Sequence, residues 1–360
     1  LIRPRRPHPA MAGAAVAPAG TGRCARRPAR NWPGDTRERR ARSQVGVVRG
    51  VVLCACAPSV CGCILFKRRR GGYQTPVPDA PLRGARGVAE AGAGLIRLSP
   101  EFVRGQFPAF SEPSLRDWAH FENAGGSFAC RYAIWRLHRF YRERNVQPGG
   151  AFPASERAGD EMDEARRRLA LVLGVEADEV SFGPSTTQNA FVLAAAFRDW
   201  LRPGEAVVVT EQDHEANSAP WRRLAMAGVE VREWRLDPET GHLDDDDLAE
   251  LLDDGRVRLV CFPHCSNVVG EINDARRICA LVRRAGAYSC VDGVSYAPHG
   301  LPDIGRIGAD IYFFSTYKTY GPHQGVMVIR RALGERLPNQ GFDFNGEDLW
   351  KRFTPAGPDH

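Results

Sequence analysis

Ala287-Tyr-Ser-Cys-Val-Asp292-Gly293 and, further on, Asp310-Ile-Tyr-Phe-Phe-Ser315-Thr-Tyr-Lys318-Thr-Tyr-Gly321 decide how this protein folds. In each stretch a short apolar run ends abruptly at polar residues and glycine. That is the pattern of a buried strand delivering a side chain where the chain must turn. The first run delivers Asp292 and the second is followed by Lys318, 26 residues later. Open α/β sheets place their chemistry at such strand ends, so a carboxylate and an amine are expected at one crevice.

The same texture repeats outward from these strands. Apolar spacing of helical period, with charged opposite faces, covers Arg131–Arg144 and Ser155–Leu173. Strands are then expected at Glu179–Gly183, Ala206–Thr210, Val229–Trp234, Arg258–Pro263, Tyr288–Val291, Ile311–Phe314 and Val326–Ile329. Helices are expected between them at Thr187–Trp200, around Pro220–Ala227, at Asp246–Leu252 and at Ala275–Ala285. This alternation implies an α/β fold on a mainly parallel seven-stranded sheet, covered by helices on both faces. The acidic run Asp244–Asp247 reads as the cap of the helix ending at Leu252, because carboxylates suit a helix N-terminus. No metal site is expected there.

Each strand end carries polar groups. Gly183-Pro-Ser185-Thr186-Thr187 joins a strand to a helix. Its hydroxyls and free N–H groups either cradle a phosphate at the positive end of the helix dipole or simply cap the helix. His214, just past Thr210, can lie flat on an aromatic ring and exchange protons. Asn267 can hydrogen-bond a phenolate oxygen without adding charge, or Ser266-Asn267 can merely form a turn. With Asp292 and Lys318, these groups match the needs of pyridoxal 5'-phosphate. The lysine forms the Schiff base, and the aspartate keeps the pyridinium nitrogen protonated so that the ring accepts electrons.

Taken in order, Phe121-Glu-Asn123-Ala124-Gly125-Gly126, the Gly-Pro-Ser-Thr-Thr turn, Asp213-His214-Glu-Ala-Asn217, Ser266-Asn267-Val-Val-Gly270, Asp292-Gly-Val-Ser-Tyr-Ala-Pro-His299 and Ser315-Thr-Tyr-Lys318 resemble the class V aminotransferase family. The likeness is to the cysteine-desulfurase-like branch of the fold-type-I enzymes that depend on pyridoxal phosphate, and it covers roughly residues 97–360. It implies a fold-type-I large domain in which Lys318 holds the cofactor and shuttles the Cα proton. It also implies that Asp292 pairs with the ring nitrogen, His214 stacks on the ring and Asn267 faces the ring oxygen. Ser185, Thr186 and Ser315 would contact the phosphate, and the loop Asn123, Ala124, Gly125 would border the substrate cleft.

By the same resemblance the partners are a small amino-acid substrate and a second copy of the chain, as a homodimer. Two positions depart from the desulfurase pattern: Ser295 stands where a glutamine is usual, and Tyr317 where a histidine is usual. Enzymes of this class also carry a small C-terminal domain with a carboxylate-binding arginine and, in desulfurases, a loop cysteine. The final residues resemble the segment leading into that domain, which would be largely missing. Desulfuration, transamination or another elimination, and a silent fragment that binds the cofactor all remain open readings.

The domain boundaries expected are a basic segment at 1–95, the cofactor-binding large domain with its N-terminal arm at 96–345, and the start of the C-terminal domain at 346–360. Residues 1–95 hold 18 Lys/Arg against 4 Asp/Glu, whereas the remainder holds 31 against 39. The basic balance therefore belongs to the first segment, and nucleic-acid binding by the main domain is not expected. Rich in Arg, Ala, Gly and Pro, residues 1–95 read as disordered or as a basic anchor. Val51–Phe66 is apolar but, at 16 residues with Pro58 inside, is short for a membrane helix of about 20. Its pairs Cys54-Ala-Cys56 and Cys61-Gly-Cys63 are closer than zinc ligands usually stand. Cys130, Cys261, Cys265, Cys279 and Cys290 lie among apolar runs, as reduced packing thiols of a cytoplasmic protein do. The Arg-rich, acid-poor start is also the composition of an organelle transit segment.

Overall fold

The computed structural model describes residues 99–355. The expectations for 1–95, including the apolar stretch and the paired cysteines, lie outside the described residues. All described residues fall in the unit Glu90–His360.

In chain order the first helices are α1 (Pro100–Gly105), α2 (Arg131–Glu143) and α3 (Pro153–Leu173). There follow β1 (Val180–Gly183), α4 (Thr186–Trp200), β2 (Ala206–Thr210), α5 (Ala219–Arg222) and β3 (Glu230–Trp234). Next come α6 (Asp245–Leu252), β4 (Val257–Pro263), α7 (Ala275–Arg284) and β5 (Tyr288–Asp292). The last are α8 (Ile304–Ile307), β6 (Ile311–Ser315), β7 (Gly325–Ile329) and α9 (Arg331–Gly334). Every strand expected from the sequence is present. The segment around Pro220–Ala227 differs in detail: one α-turn gives way to a 3₁₀ stretch, Arg223–Ala227, which stops at Gly228 in the left-handed region (φ 80°). Asp244 caps α6 by accepting a hydrogen bond from the Asp246 amide, as its carboxylate should.

The seven strands run in the order β1-β7-β6-β5-β4-β2-β3. Pairs β2–β3, β2–β4, β4–β5 and β5–β6 are parallel. β7 is antiparallel to both of its neighbours, β6 and β1. The sheet is thus mainly parallel with one reversed strand, for a simple reason. The connection from Ser315 to Gly325 is too short for the crossover that a parallel neighbour needs. Because β1 and β6 both oppose β7, β1 points the same way as β6. The C-terminal ends of β1, β2, β4, β5 and β6 therefore meet at one edge.

Alternate side chains of the buried strands feed two apolar layers. On one face Val208, Val260, Phe262, Val291, Tyr312 and Phe314 pack with Leu173 of α3, Leu248 of α6 and Ile278 of α7. On the other, Val207, Val209, Leu259, Ile311, Phe313 and Met327 pack with Leu193 and Phe197 of α4 and with Trp221. Each fully buried large side chain contributes roughly 1.5–3 kcal/mol, so the strand ends are held on a rigid platform. Among the described residues no helix is long and apolar enough to cross a membrane, and no group of His, Cys, Asp or Glu could hold a metal ion.

Candidate active site

The five strand ends border a cleft lined among others by Thr186, His214, Asn267, Asp292, Ser315 and Lys318.

Asp292 is the last residue of β5 and is 5% exposed. One carboxylate oxygen, Oδ1, accepts a hydrogen bond from the Val294 amide at 2.8 Å. Burial pushes its pKa up. That backbone donor and the nearby His214 and Lys318 pull the other way. A second carboxylate lies in the same cleft. Asp213 accepts from the His214 amide at 2.9 Å and from Asn217 Nδ2 at 2.6 Å. Burial and the charge of Asp292 together push Asp213 well above the usual carboxylate range. Two carboxylates sharing one site favour keeping a proton between them.

Lys318 ends a 3₁₀ turn, Thr316–Lys318, that follows β6 directly. It is the only lysine or arginine among the described residues lining the cleft. Tyr317 forms a wall beside it, its ring stacked on His323 with centroids 4.3 Å apart. His214, also lining the cleft, has Nδ1 accepting from the Ala216 amide at 3.0 Å, which places the ring proton of the neutral imidazole on Nε2.

The two ambiguous turns divide their labour. Ser185 caps α4, its hydroxyl accepting from the Gln188 amide at 3.1 Å, and is not among the cleft-lining residues. The neighbouring Thr186 and Thr187 are. The Thr186 hydroxyl meets that of Ser315 at 2.8 Å, both side chains being buried. Likewise Ser266 forms its turn, its hydroxyl accepting from the Val268 and Val269 amides at 3.3 Å. Asn267 is left exposed on the cleft wall. Of the loop Asn123, Ala124, Gly125 no residue lines the cleft. Its next residue, Gly126, lies against the Tyr317 ring, with 3.6 Å between the ring and the place a Cβ would take.

Beneath Asp292 lies a group that sequence reasoning missed. The His264 ring stacks on Tyr296 at 3.6 Å and 9°, and its Nδ1 is 2.8 Å from the Tyr312 hydroxyl. Burial lowers the His264 pKa to about 4, so it stays neutral. The His264 amide also donates to the Asp292 carbonyl at 2.8 Å. Together these contacts brace the turn after β5. The only hint in the sequence was a histidine at the end of another apolar run.

Three observations fit a phosphate-bearing aromatic cofactor to this cleft. The Thr186–Ser315 hydroxyl pair lies at the N-terminus of the 15-residue helix α4, where oxyanions are favoured. The buried carboxyl group of Asp292 and the amine-bearing Lys318 both line the cleft. Finally, Gly325 of β7 has no side chain where one would overlap the Ser185 carbonyl carbon and the Thr186 nitrogen. Its smallness lets the helix end approach the strand. A Gly325→Ala protein is expected to lose about 1–3 kcal/mol of stability to overpacking. It should also lose most of its affinity for phosphate-bearing ligands, checked by thermal denaturation and by ligand titration.

The thiols do not compete for this chemistry. Cys265 lines the cleft, but burial raises its pKa, so it is a poor nucleophile near neutral pH. Cys261 and Cys290 are fully buried and shifted upward as well. All described cysteines are free.

A family model described as aminotransferase class-V matches residues 119–347. The aminotransferase-like protein FGM3 of Gibberella zeae is 35% identical over 255 residues, which cover 69% of this chain and 62% of that protein. A cysteine desulfurase of Serratia proteamaculans is 32% identical, covering 66% of this chain and 60% of the relative. The chain thus spans about 60% of the length of these curated relatives. The apo structure of a cysteine desulfurase from Thermococcus onnurineus NA1 superimposes with a TM-score of 0.65 at 23% identity, covering 73% of this chain and 68% of that one. The cysteine desulfurase CsdA of Escherichia coli gives a TM-score of 0.58 at 27% identity, covering 68% and 61%.

Proposed function

The chain belongs to the class V aminotransferase family, and on that premise we propose that it binds pyridoxal phosphate and acts on a small amino acid in a cysteine-desulfurase-like reaction. The observation that carries this reading is the meeting of Asp292 and Lys318 in one cleft with the Thr186–Ser315 hydroxyl pair.

When bound, pyridoxal phosphate supplies an electron sink for negative charge developing at a substrate Cα. The chain's own residues do the rest. Thr186 and Ser315 hold the phosphate, aided by Thr187 and by the end of α4 that Ser185 caps. Asp292 would accept a hydrogen bond from a protonated ring nitrogen, and Asp213, whose own pKa is raised by burial and by Asp292, stands beside it. His214 presents its imidazole to the ring face, and Asn267 offers an uncharged donor to the ring oxygen. Lys318 would hold the cofactor and would be the base that moves the Cα proton. Asn123, Ala124 and Gly125 would border the substrate entrance from outside the cleft, next to Gly126 at the Tyr317 ring. A homodimer is the assembly we expect.

The test is product analysis on the full chain supplied with pyridoxal phosphate. Alanine formed from L-cysteine, with the sulfane sulfur released as sulfide by added dithiothreitol, supports desulfuration. Conversion of alanine to pyruvate with a 2-oxo acid acceptor would instead mark a transaminase. That second reading is favoured by Tyr317 and Ser295 at the cleft and by the raised pKa of Cys265, the only cysteine among the described residues lining it. Neither product would leave a chain that binds the cofactor without turnover.

A further inference from the structure

The turn bearing Lys318 is tied to the N-terminal arm through one residue that the chemistry above does not use. Ser127 donates from its backbone amide to the Tyr317 carbonyl at 2.9 Å. Its hydroxyl donates to the same carbonyl at 2.9 Å and accepts from the Tyr320 amide at 2.8 Å. One oxygen atom therefore bridges the residues immediately before and shortly after the lysine. Cys130 extends the attachment, its amide donating to the Tyr320 carbonyl at 2.9 Å.

What this attachment holds is strained. Among the described residues Tyr320 is the only non-glycine with positive φ, at 63°. A residue with a Cβ in that region costs roughly 1–2 kcal/mol, and such strain persists where surrounding contacts over-determine it. The contacts here are the Ser127 hydroxyl, the Cys130 amide and the edge of Phe107, whose ring centroid is 5.5 Å from that of Tyr320. Within the turn, the Thr319 and Gly321 amides both donate to the Thr316 carbonyl at 2.8 Å. The turn is closed on itself, and the arm sets its position.

We propose that Ser127 is a positioning residue for Lys318, its hydroxyl fixing the strained turn so that Nζ points into the cleft. The proposal rests on the reading of Lys318 as the cofactor-bearing lysine. A hydroxyl suits the task because it can donate to one backbone group and accept from another at once. Alanine does neither. Threonine keeps both.

Ser127→Ala and Ser127→Thr would be compared with the wild-type full chain, after thermal denaturation has shown that each is folded. The first readout needs no cofactor: hydrogen exchange at the Tyr320 amide, expected to quicken about tenfold in Ser127→Ala and to return in Ser127→Thr. The second is the rate at which pyridoxal phosphate becomes covalently fixed at Lys318, trapped with borohydride and located by mass spectrometry. It should fall about tenfold in Ser127→Ala, with kcat lowered and KM little changed, and recover in Ser127→Thr. Wild-type exchange and trapping rates in Ser127→Ala would overturn the proposal. So would a loosened turn with an unchanged trapping rate. If the wild-type chain itself trapped no cofactor, the reading of Lys318 would fail first, visibly and before any variant is compared.

Discussion

A Lys318→Ala protein mixed with pyridoxal phosphate and borohydride is expected to carry no covalent cofactor, whereas the wild-type chain carries one, attached at position 318. Lys318 is the only lysine or arginine among the described residues lining the cleft, so no neighbouring amine can substitute. Turnover of any amino acid should drop by roughly 10²–10⁴-fold from loss of the proton-transferring base alone. Added methylamine should restore a fraction of it, because a free amine can occupy the vacated space. Reversible affinity for the cofactor should survive, since Thr186, Ser315 and Asp292 are untouched. A Lys318→Ala protein that still fixed the cofactor, or turned over at the wild-type rate, would sink the assignment.

Asp292→Asn is expected to move stability and activity in opposite directions. The native carboxylate is buried, shares the cleft with Asp213, and has its pKa raised mainly by burial. An acid whose pKa is raised on folding stabilises the fold fully below its unfolded value of about 4. That contribution is lost as pH rises through the folded value. Without cofactor, the wild-type chain should therefore melt at lower temperature as pH climbs from about 4 towards neutrality, and Asp292→Asn should show a shallower slope. Asparagine keeps an oxygen for the Val294 amide but removes the charge. A gain of about 0.5–2 kcal/mol is reasonable for relieving such a site, or a few degrees in Tm at about 2–4 °C per kcal/mol for a domain of this size. The new amide would face a protonated ring nitrogen with a donor, so turnover should collapse. Asp213→Asn is the poorer experiment, because its amide would meet the Nδ2 group of Asn217. Scanning calorimetry across pH, with activity measured in parallel, decides the matter; a variant no more stable than wild type at neutral pH would contradict the electrostatic account.

Much of this was legible from residue order. Asp292 and Lys318 were visible because each follows an apolar run that only a buried strand explains. His214 and Asn267 were visible for the same reason. The reversed direction of β7 was less so, because a buried apolar run such as Val326–Ile329 reads alike in either direction. The signal lay in the short connection from Ser315 to Gly325, which leaves no room for a crossover helix. Asp213 belongs to a recognisable motif, but its role is not legible there, since it depends on Asp292, far along the chain. The stacked His264 and Tyr296 with Tyr312, and the bridging Ser127, depend on tertiary contacts that no local period encodes. Ser185 illustrates the converse. A Ser-Thr turn permits both capping and anion binding, and the backbone turns Ser185 to the helix cap while Thr186 faces the cleft.

The hydroxyl pair that joins Thr186 to Ser315 spans 129 residues of sequence. Its two halves come together only once β7 has slotted between β1 and β6. Closing so long a loop is entropically slow, and contacts of this range form late. The lysine turn, by contrast, closes within a hairpin and can form early. A nascent or refolding chain would thus present its reactive amine before it possesses an anchor for the phosphate, and firm capture of the cofactor becomes a report that the last strand has docked.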